Sequence, residues 1–284
     1  MIKIIECPRD AMQGLHDFVE TKDKIRYINS LLKVGFDTID FGSFVSPKAI
    51  PQMKDTPEVL ASLDLNHTKS KLLSIIANTR GAEEACKYSE IDYLGYPFSI
   101  SETFQLRNTN ATIEESLERV EEIQNMCLKH NKNLVIYISM GFGNPYGDVW
   151  NVEIVEKWVS ALYKMDIKIM SLSDTIGVSN PQSIEYLFSK LIPGYPNIEF
   201  GAHLHTEPHN WHEKIEAAFK SGCNRFDSAI KGFGGCPMAK DDLTGNMPTE
   251  NLLNYFKNAN IDLQLNSQAF EDSTNIAMQI FPLK

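Results

Sequence analysis

The sequence lacks any pair of cysteines spaced C-x-x-C. Its five, Cys7, Cys86, Cys127, Cys223 and Cys236, are odd in number and scattered, which argues against a disulfide scaffold and against a thiolate zinc or dithiol redox site. It also lacks any run of Lys and Arg to offset a formal net charge of −10. A chain of that sign repels nucleic acid and anionic lipid at long range, so neither is expected as a partner. No apolar stretch is long enough to span a bilayer, and the opening Ile2-Lys3-Ile4-Ile5 has no basic segment leading a long apolar one. Neither a signal peptide nor a membrane span is therefore expected, and the expected location is cytoplasmic. Low-complexity segments and linkers rich in Pro, Gly or Ser are missing too, so residues 1–284 read as one domain.

What is present is a composition 43% hydrophobic and 23% charged, enough apolar material for a substantial core. Short runs rich in Ile, Val, Leu and Tyr recur at 2–6, 37–41, 71–76, 91–96, 133–139, 167–172, 198–203 and 224–229. Longer helical stretches separate them. Alternating β and α segments imply parallel strands with right-handed crossovers, and eight of them favour a TIM-type (β/α)₈ barrel over a doubly wound sheet. Between Thr21 and Val34 an apolar stripe of Ile25, Ile28, Leu31 and Leu32 predicts a helix with Gly35 near its C-terminal cap. Thr112 with Glu115 predicts a capping box that opens a long helix. Gly81, Gly222 and Asn180-Pro181 mark other boundaries, Gly232 to Asn246 reads as a loop, and residues after 260 read as a short terminal extension.

Polar residues that can do chemistry stand at the ends of five of these strands. His203-Leu204-His205 closes the seventh; in an extended chain residues two apart face the same side, so both imidazoles are candidate ligands to one divalent metal. Taken alone, H-x-H is as often structural. Arg9-Asp10 follows the first strand, a carboxylate to complete a metal site beside a guanidinium to stabilise a developing oxyanion, or an ordinary surface ion pair. Asp40 ends the second strand, and Asp174 follows the sixth either as a helix cap or as an orienting carboxylate. In the glycine-rich Gly232-Phe233-Gly234-Gly235-Cys236-Pro237, Cys236 is a candidate proton donor or a plain buried thiol, and the amide of Asn246 is a candidate ligand or part of a turn. A barrel gathers the C-terminal ends of its strands at one rim, so convergence favours a site there.

In order along the chain, Pro8-Arg9-Asp10, Gln13, Ser43-Phe44-Val45-Ser46-Pro47-Lys48 with Pro51-Gln52-Met53, Asp174-Thr175-Ile176-Gly177, His203-x-His205, Gly234-Gly235-Cys236-Pro237 and Gly245-Asn246 resemble the metal-dependent lyases and Claisen-type synthases built on this barrel. Within that group the resemblance is to the 3-hydroxy-3-methylglutaryl-CoA lyases, with Ser43 to Met53 the most discriminating stretch. It implies Mg²⁺ or Mn²⁺ on Asp10, His203, His205 and Asn246, Arg9 at the enolate, and Cys236 in proton transfer. It further implies that Asp40 and Asp174 support substrate or water, and that Arg9, Gln13 and Ser43 contact an acyl-CoA substrate; a homodimer is expected. Where the family continues after Gln13 with Asn, an acid and Lys, this chain has Gly14-Leu15-His16. A different thioester, a 2-oxo acid, or a non-catalytic barrel are the alternatives.

Overall fold

The structure, a computed structural model, describes residues 1–235 and 244–281. Eight parallel strands, β1 (Lys3–Glu6), β2 (Thr38–Ser43), β3 (Lys71–Ile75), β4 (Tyr93–Ser99), β5 (Asn133–Ser139), β6 (Ile169–Asp174), β7 (Glu199–Thr206) and β8 (Arg225–Ser228), pair in sequence order. β1 pairs with β8 to close the barrel. The expected eight-stranded barrel is what forms, and each strand overlaps its sequence run.

Four strands outrun the expectation, β2 and β6 by two residues each and β4 and β7 by three. β4 continues through Pro97 to Ser99, although proline removes a ladder donor. The position is tolerated because β3 has ended: its last partner pair is Ile75 with Gly95, and beyond it β4 is laddered only to β5. β7 continues past His205 because a two-residue strand, β9 (Gly245–Asn246), adds antiparallel to His205 and Thr206. The reading of Gly232 to Asn246 as a loop throughout is corrected there.

Inward positions of β5 are Val135, Tyr137 and Ser139, while Leu134, Ile136 and Ile138 face the helices; every residue after Asn133 is buried, as a strand covered on both faces requires. The barrel interior is packed, with Leu73, Val135, Tyr137 and Ile169 forming one cluster. Gly95 makes room in it. A Cβ there would lie 2.5 Å from Ile75 Cδ1 and 3.0 Å from Tyr137 Cε2.

The helices carry the start signals that the sequence displays. In α6 (Ile113–Lys129) Thr112 and Glu115 form the reciprocal capping box. In α8 (Pro181–Gly194) Asn180 caps and Pro181 occupies the first turn. The residues after 260 are not a loose extension. Their helix, Ser267–Ile280, packs on the first long helix, Thr21–Leu31, with Phe270 edge-on to Phe36 and Phe281 edge-on to Tyr27, and so closes the outer ring. Among the described residues no helix is long and apolar enough to cross a membrane.

Glu6 sits fully buried at the end of β1, accepting from the Ile230 amide (2.9 Å) and the Thr249 hydroxyl (2.6 Å). Burial pushes its carboxyl up to about 8 despite those two bonds. A carboxyl held above its unfolded value contributes stability that is complete below the unfolded pKa and is lost as pH rises through the folded one. Thermal unfolding between pH 6 and 9 is therefore expected to show the melting temperature falling more in the wild type than in Glu6→Gln, with a gap on the order of 5 °C by pH 9. Parallel curves for the two proteins would contradict this.

Candidate active site

The turn out of β1 places the first three residues of the site. Pro8, with its fixed φ, starts α1 (Pro8–Gln13), so Arg9, Asp10 and Gln13 lie on one short helix at the C-terminal rim. Arg9 is held in place by carboxylates: Nε donates to Asp40 Oδ2 at 3.0 Å, Nη2 donates to Asp40 Oδ2 at 2.5 Å, and Nη1 donates to Asp10 (2.8 Å) and Gln13 (2.7 Å). A guanidinium carries five N–H groups, so this arrangement leaves one Nη2 hydrogen without an acceptor among the described residues. Burial pushes Asp40 up to about 6, and the guanidinium keeps it from rising further, so at neutral pH it is the anion that anchors Arg9.

His203 and His205 both turn inward from β7, as their spacing of two requires, and their rings lie 5.4 Å apart. Ligand atoms of Asp10, His203 and His205 all lie within 4.8 Å of one another. Asp227, inward on β8, stands 3.1 Å from His203 Nδ1. With Nδ1 as the donor, Nε2 keeps its lone pair for a ligand, the arrangement that fixes the tautomer of metal-binding histidines.

Asn246 is carried in on β9 and donates through Nδ2 to Asp10 Oδ2 (2.7 Å) and the Phe233 carbonyl (2.9 Å). Its Oδ1 takes no part in either bond. Gly234 closes over this pair: a Cβ there would lie 2.7 Å from the Asp10 carbonyl and 2.8 Å from Asn246 Nδ2, and its φ is +94°. Only glycine fits.

The donor set suits a divalent cation. Burial alone would raise the Asp10 carboxyl, but Arg9, both histidines and the Asn246 amide bring it down to about 2. Burial, then the neighbouring His203, lowers His205 to about 4. Burial also opposes charge on His203, but the hydrogen bond and charge of Asp227 outweigh it and raise the pKa. One carboxylate, imidazole nitrogens and an amide oxygen make a hard-to-borderline site of the kind that takes Mg²⁺, Mn²⁺ or Zn²⁺.

A cavity of about 330 Å³ opens onto these groups. Arg9, Asp10, Gln13, Ser139, Ser173, Thr175, His203 and His205 form its polar end; Val45, Ala49, Ile50, Ile75 and Phe104 form an apolar wall, and Arg107 and Asn108 also line it. Among the described residues, four expected site residues do not line it: Asp40, Ser43, Asp174 and Asn246. Asp40 lies behind Arg9. Ser43 is buried with its hydroxyl accepting from the Val45 amide, so that segment contributes Val45, Ala49 and Ile50 instead. Asp174 occupies an outward position on β6, its neighbours Ser173 and Thr175 reach the cavity, and its carboxylate binds Ser179 and Lys214. It caps no helix; Asn180 does. Cys236 lies outside the described residues.

A family model for HMGL-like proteins matches residues 2–276. The chain belongs to the HMGL-like family. Among relatives, a hydroxymethylglutaryl-CoA lyase of Bacillus subtilis is 32% identical over 246 residues, covering 87% of this chain and 81% of that one. A 3-hydroxy-3-isohexenylglutaryl-CoA/hydroxymethylglutaryl-CoA lyase of Pseudomonas aeruginosa is 32% identical over 275 residues, covering 96% and 90%. The structure of an HMG-CoA lyase from Acinetobacter baumannii in complex with coenzyme A and 3-methylmalate superposes with a TM-score of 0.90 at 29% identity, covering 99% of this chain and 91% of that one. HMGL-like membership accounts for the resemblance of the ordered motifs. Residues that the motifs did not reveal are Tyr137, Ser139, Arg107, Asp227 and Lys214. For Tyr137 and Ser139 the one available signal was strand parity, and burial on both faces of β5 erases it.

Proposed function

We propose that this chain is a divalent-metal-dependent carbon–carbon lyase that cleaves (S)-3-hydroxy-3-methylglutaryl-CoA to acetyl-CoA and acetoacetate. The observation that carries this reading is the cluster of Asp10, His203 and His205 beside a single available N–H of Arg9, at the polar end of one cavity. Asp10, His203, His205 and Asn246 would hold Mg²⁺ or Mn²⁺. The ion, when bound, supplies Lewis acidity that eases ionisation of a substrate hydroxyl.

The protein's own groups do the rest. Loss of the 3-hydroxyl proton with cleavage of the bond between C2 and C3 turns the hydroxyl into the ketone of acetoacetate and leaves the bonding electron pair on the thioester enolate; the proton lost is balanced by the one that the enolate carbon later gains. Arg9 donates its remaining Nη2 hydrogen to the enolate oxygen, and Asp40, Asp10 and Gln13 fix the guanidinium so that no reorganisation is needed as charge develops. The enolate carbon then takes a proton, the role that the resemblance carries to Cys236. Ser139, Ser173 and Thr175 supply hydroxyls along the polar end, where the free carboxylate and the 3-hydroxyl have partners. The apolar wall of Val45, Ile50 and Phe104 favours, as a second reading, a 3-hydroxyglutaryl thioester with a larger 3-alkyl group, the kind named for the Pseudomonas relative. Four described cysteines, Cys7, Cys86, Cys127 and Cys223, are free and buried, which supports a reducing, cytoplasmic setting.

The test is direct. Metal-depleted protein is given Mg²⁺ or Mn²⁺ with 3-hydroxy-3-methylglutaryl-CoA, or with its 3-isohexenyl homologue, and acetyl-CoA and the oxo acid are assayed. Release from the methyl substrate supports the proposal, release from the homologue alone favours the second reading, and no product from either refutes both.

A further inference from the structure

Behind the wall that carries His205 lies an ion pair that the chemistry above does not use. Lys214 stands in the first turn of α9 (Trp211–Lys220), on the helix side of the barrel, with its side chain 1% exposed and that of Asp174 0% exposed. Its ammonium donates to Asp174 Oδ2 at 2.8 Å, to the His205 carbonyl at 2.9 Å and to the Gly177 carbonyl at 3.1 Å. All three of its donors are thus engaged. Asp174 is held in turn by the Ser179 amide (3.0 Å) and hydroxyl (2.5 Å).

The contacts join the end of β6, the turn at Gly177 and the end of β7. An apolar pair of similar volume would fill this space without desolvating two charges, and buried ion pairs commonly contribute little net stability. What the pair adds is a fixed main chain at a ligand histidine. From one direction the main chain at His205 is paired with Asn246, and from another its carbonyl is tied to Lys214.

We propose that Lys214 is a positioning residue for the metal: with Asp174 as counter-ion, it fixes the main chain of His205 from outside the barrel and thereby aims the imidazole at the ion. Asp174 then acts through Lys214 and has no contact with substrate. The inference rests on the reading of Asp10, His203 and His205 as metal ligands, and on no particular substrate.

Mn²⁺ binding, followed by the electron paramagnetic resonance signal of the free ion, tests it on the wild type, Lys214→Met and the double variant Asp174→Asn/Lys214→Met. The double variant removes both charges and so leaves no lone buried charge to prevent folding. Expected are a single Mn²⁺ site in the wild type and affinity weaker by about 10–100-fold in both variants, with the double variant melting within a few degrees of wild type. A merely structural role would lower the melting temperature and leave the affinity of the folded protein unchanged. That result, or wild-type affinity in a folded double variant, overturns the proposal. A wild type that binds no Mn²⁺ overturns the metal reading instead, while binding without turnover of either thioester overturns the substrate alone.

Discussion

Replacing Asp10 by Asn is expected to lower kcat/KM by about 10⁴-fold and to weaken Mn²⁺ binding, with the melting temperature lower by a few degrees because the buried Asn246 amide loses its acceptor. The metal's contribution to stabilising negative charge is several kcal/mol, and each 1.36 kcal/mol corresponds to about a tenfold change in rate. Among the described residues, Asp10 is the only carboxylate in the cluster with the two histidines. An amide keeps one oxygen for Arg9 Nη1 and Asp40 still anchors the rest of the guanidinium, but the new NH2 then faces the Asn246 Nδ2 donor, so the loss falls on the ion and on the seat of Asn246. Steady-state kinetics over a range of Mn²⁺ concentrations check this. Recovery of wild-type kcat at high Mn²⁺ would reduce Asp10 to an affinity role, and unchanged kinetics would remove it from the site.

Arg9→Met is expected to separate the two halves of the chemistry. Removing one preorganised donor to a developing oxyanion costs about 10²–10³ in kcat, whereas Mn²⁺ affinity should hold or rise because Asp10 loses its competing guanidinium. The buried Asp40 would lose its partner as well. Its carboxyl, already pushed up to about 6 by burial, then takes a proton at neutral pH and remains as a neutral group. Arg9→Met/Asp40→Asn should accordingly match Arg9→Met in rate and exceed it in stability at alkaline pH. Parallel losses of Mn²⁺ affinity and kcat in Arg9→Met would instead make Arg9 part of the metal site.

The barrel was legible because its strands are short apolar runs between amphipathic helices, and β5 matches its sequence run from Asn133 to Ser139 without a shift. The H-x-H spacing and the Arg-Asp step were legible for a local reason: two residues on a strand and a turn into a proline-started helix fix direction without knowledge of the rest. Asn246 needed more. Its two-residue strand has no pattern of its own and exists only because β7 offers an open edge at His205 and Thr206. Asp174 reads from the sequence as a helix cap or as an orienting carboxylate, with no signal for the direction in which it points. Strand parity sends Ser173 inward and Asp174 outward, and only the fold reveals that Lys214 waits there. Asp227 was hidden similarly, because its partner His203 lies 24 residues away and no spacing rule connects adjacent barrel strands.

The central claim is that side chains from α1, β7 and the short strand after β8 share one divalent ion. Anomalous diffraction at the manganese edge from crystals grown with Mn²⁺ measures it most directly. The account predicts a single strong peak bounded by Asp10, His203, His205 and Asn246. A peak elsewhere, or a Mn²⁺-saturated crystal with no peak between the two imidazoles, would contradict it.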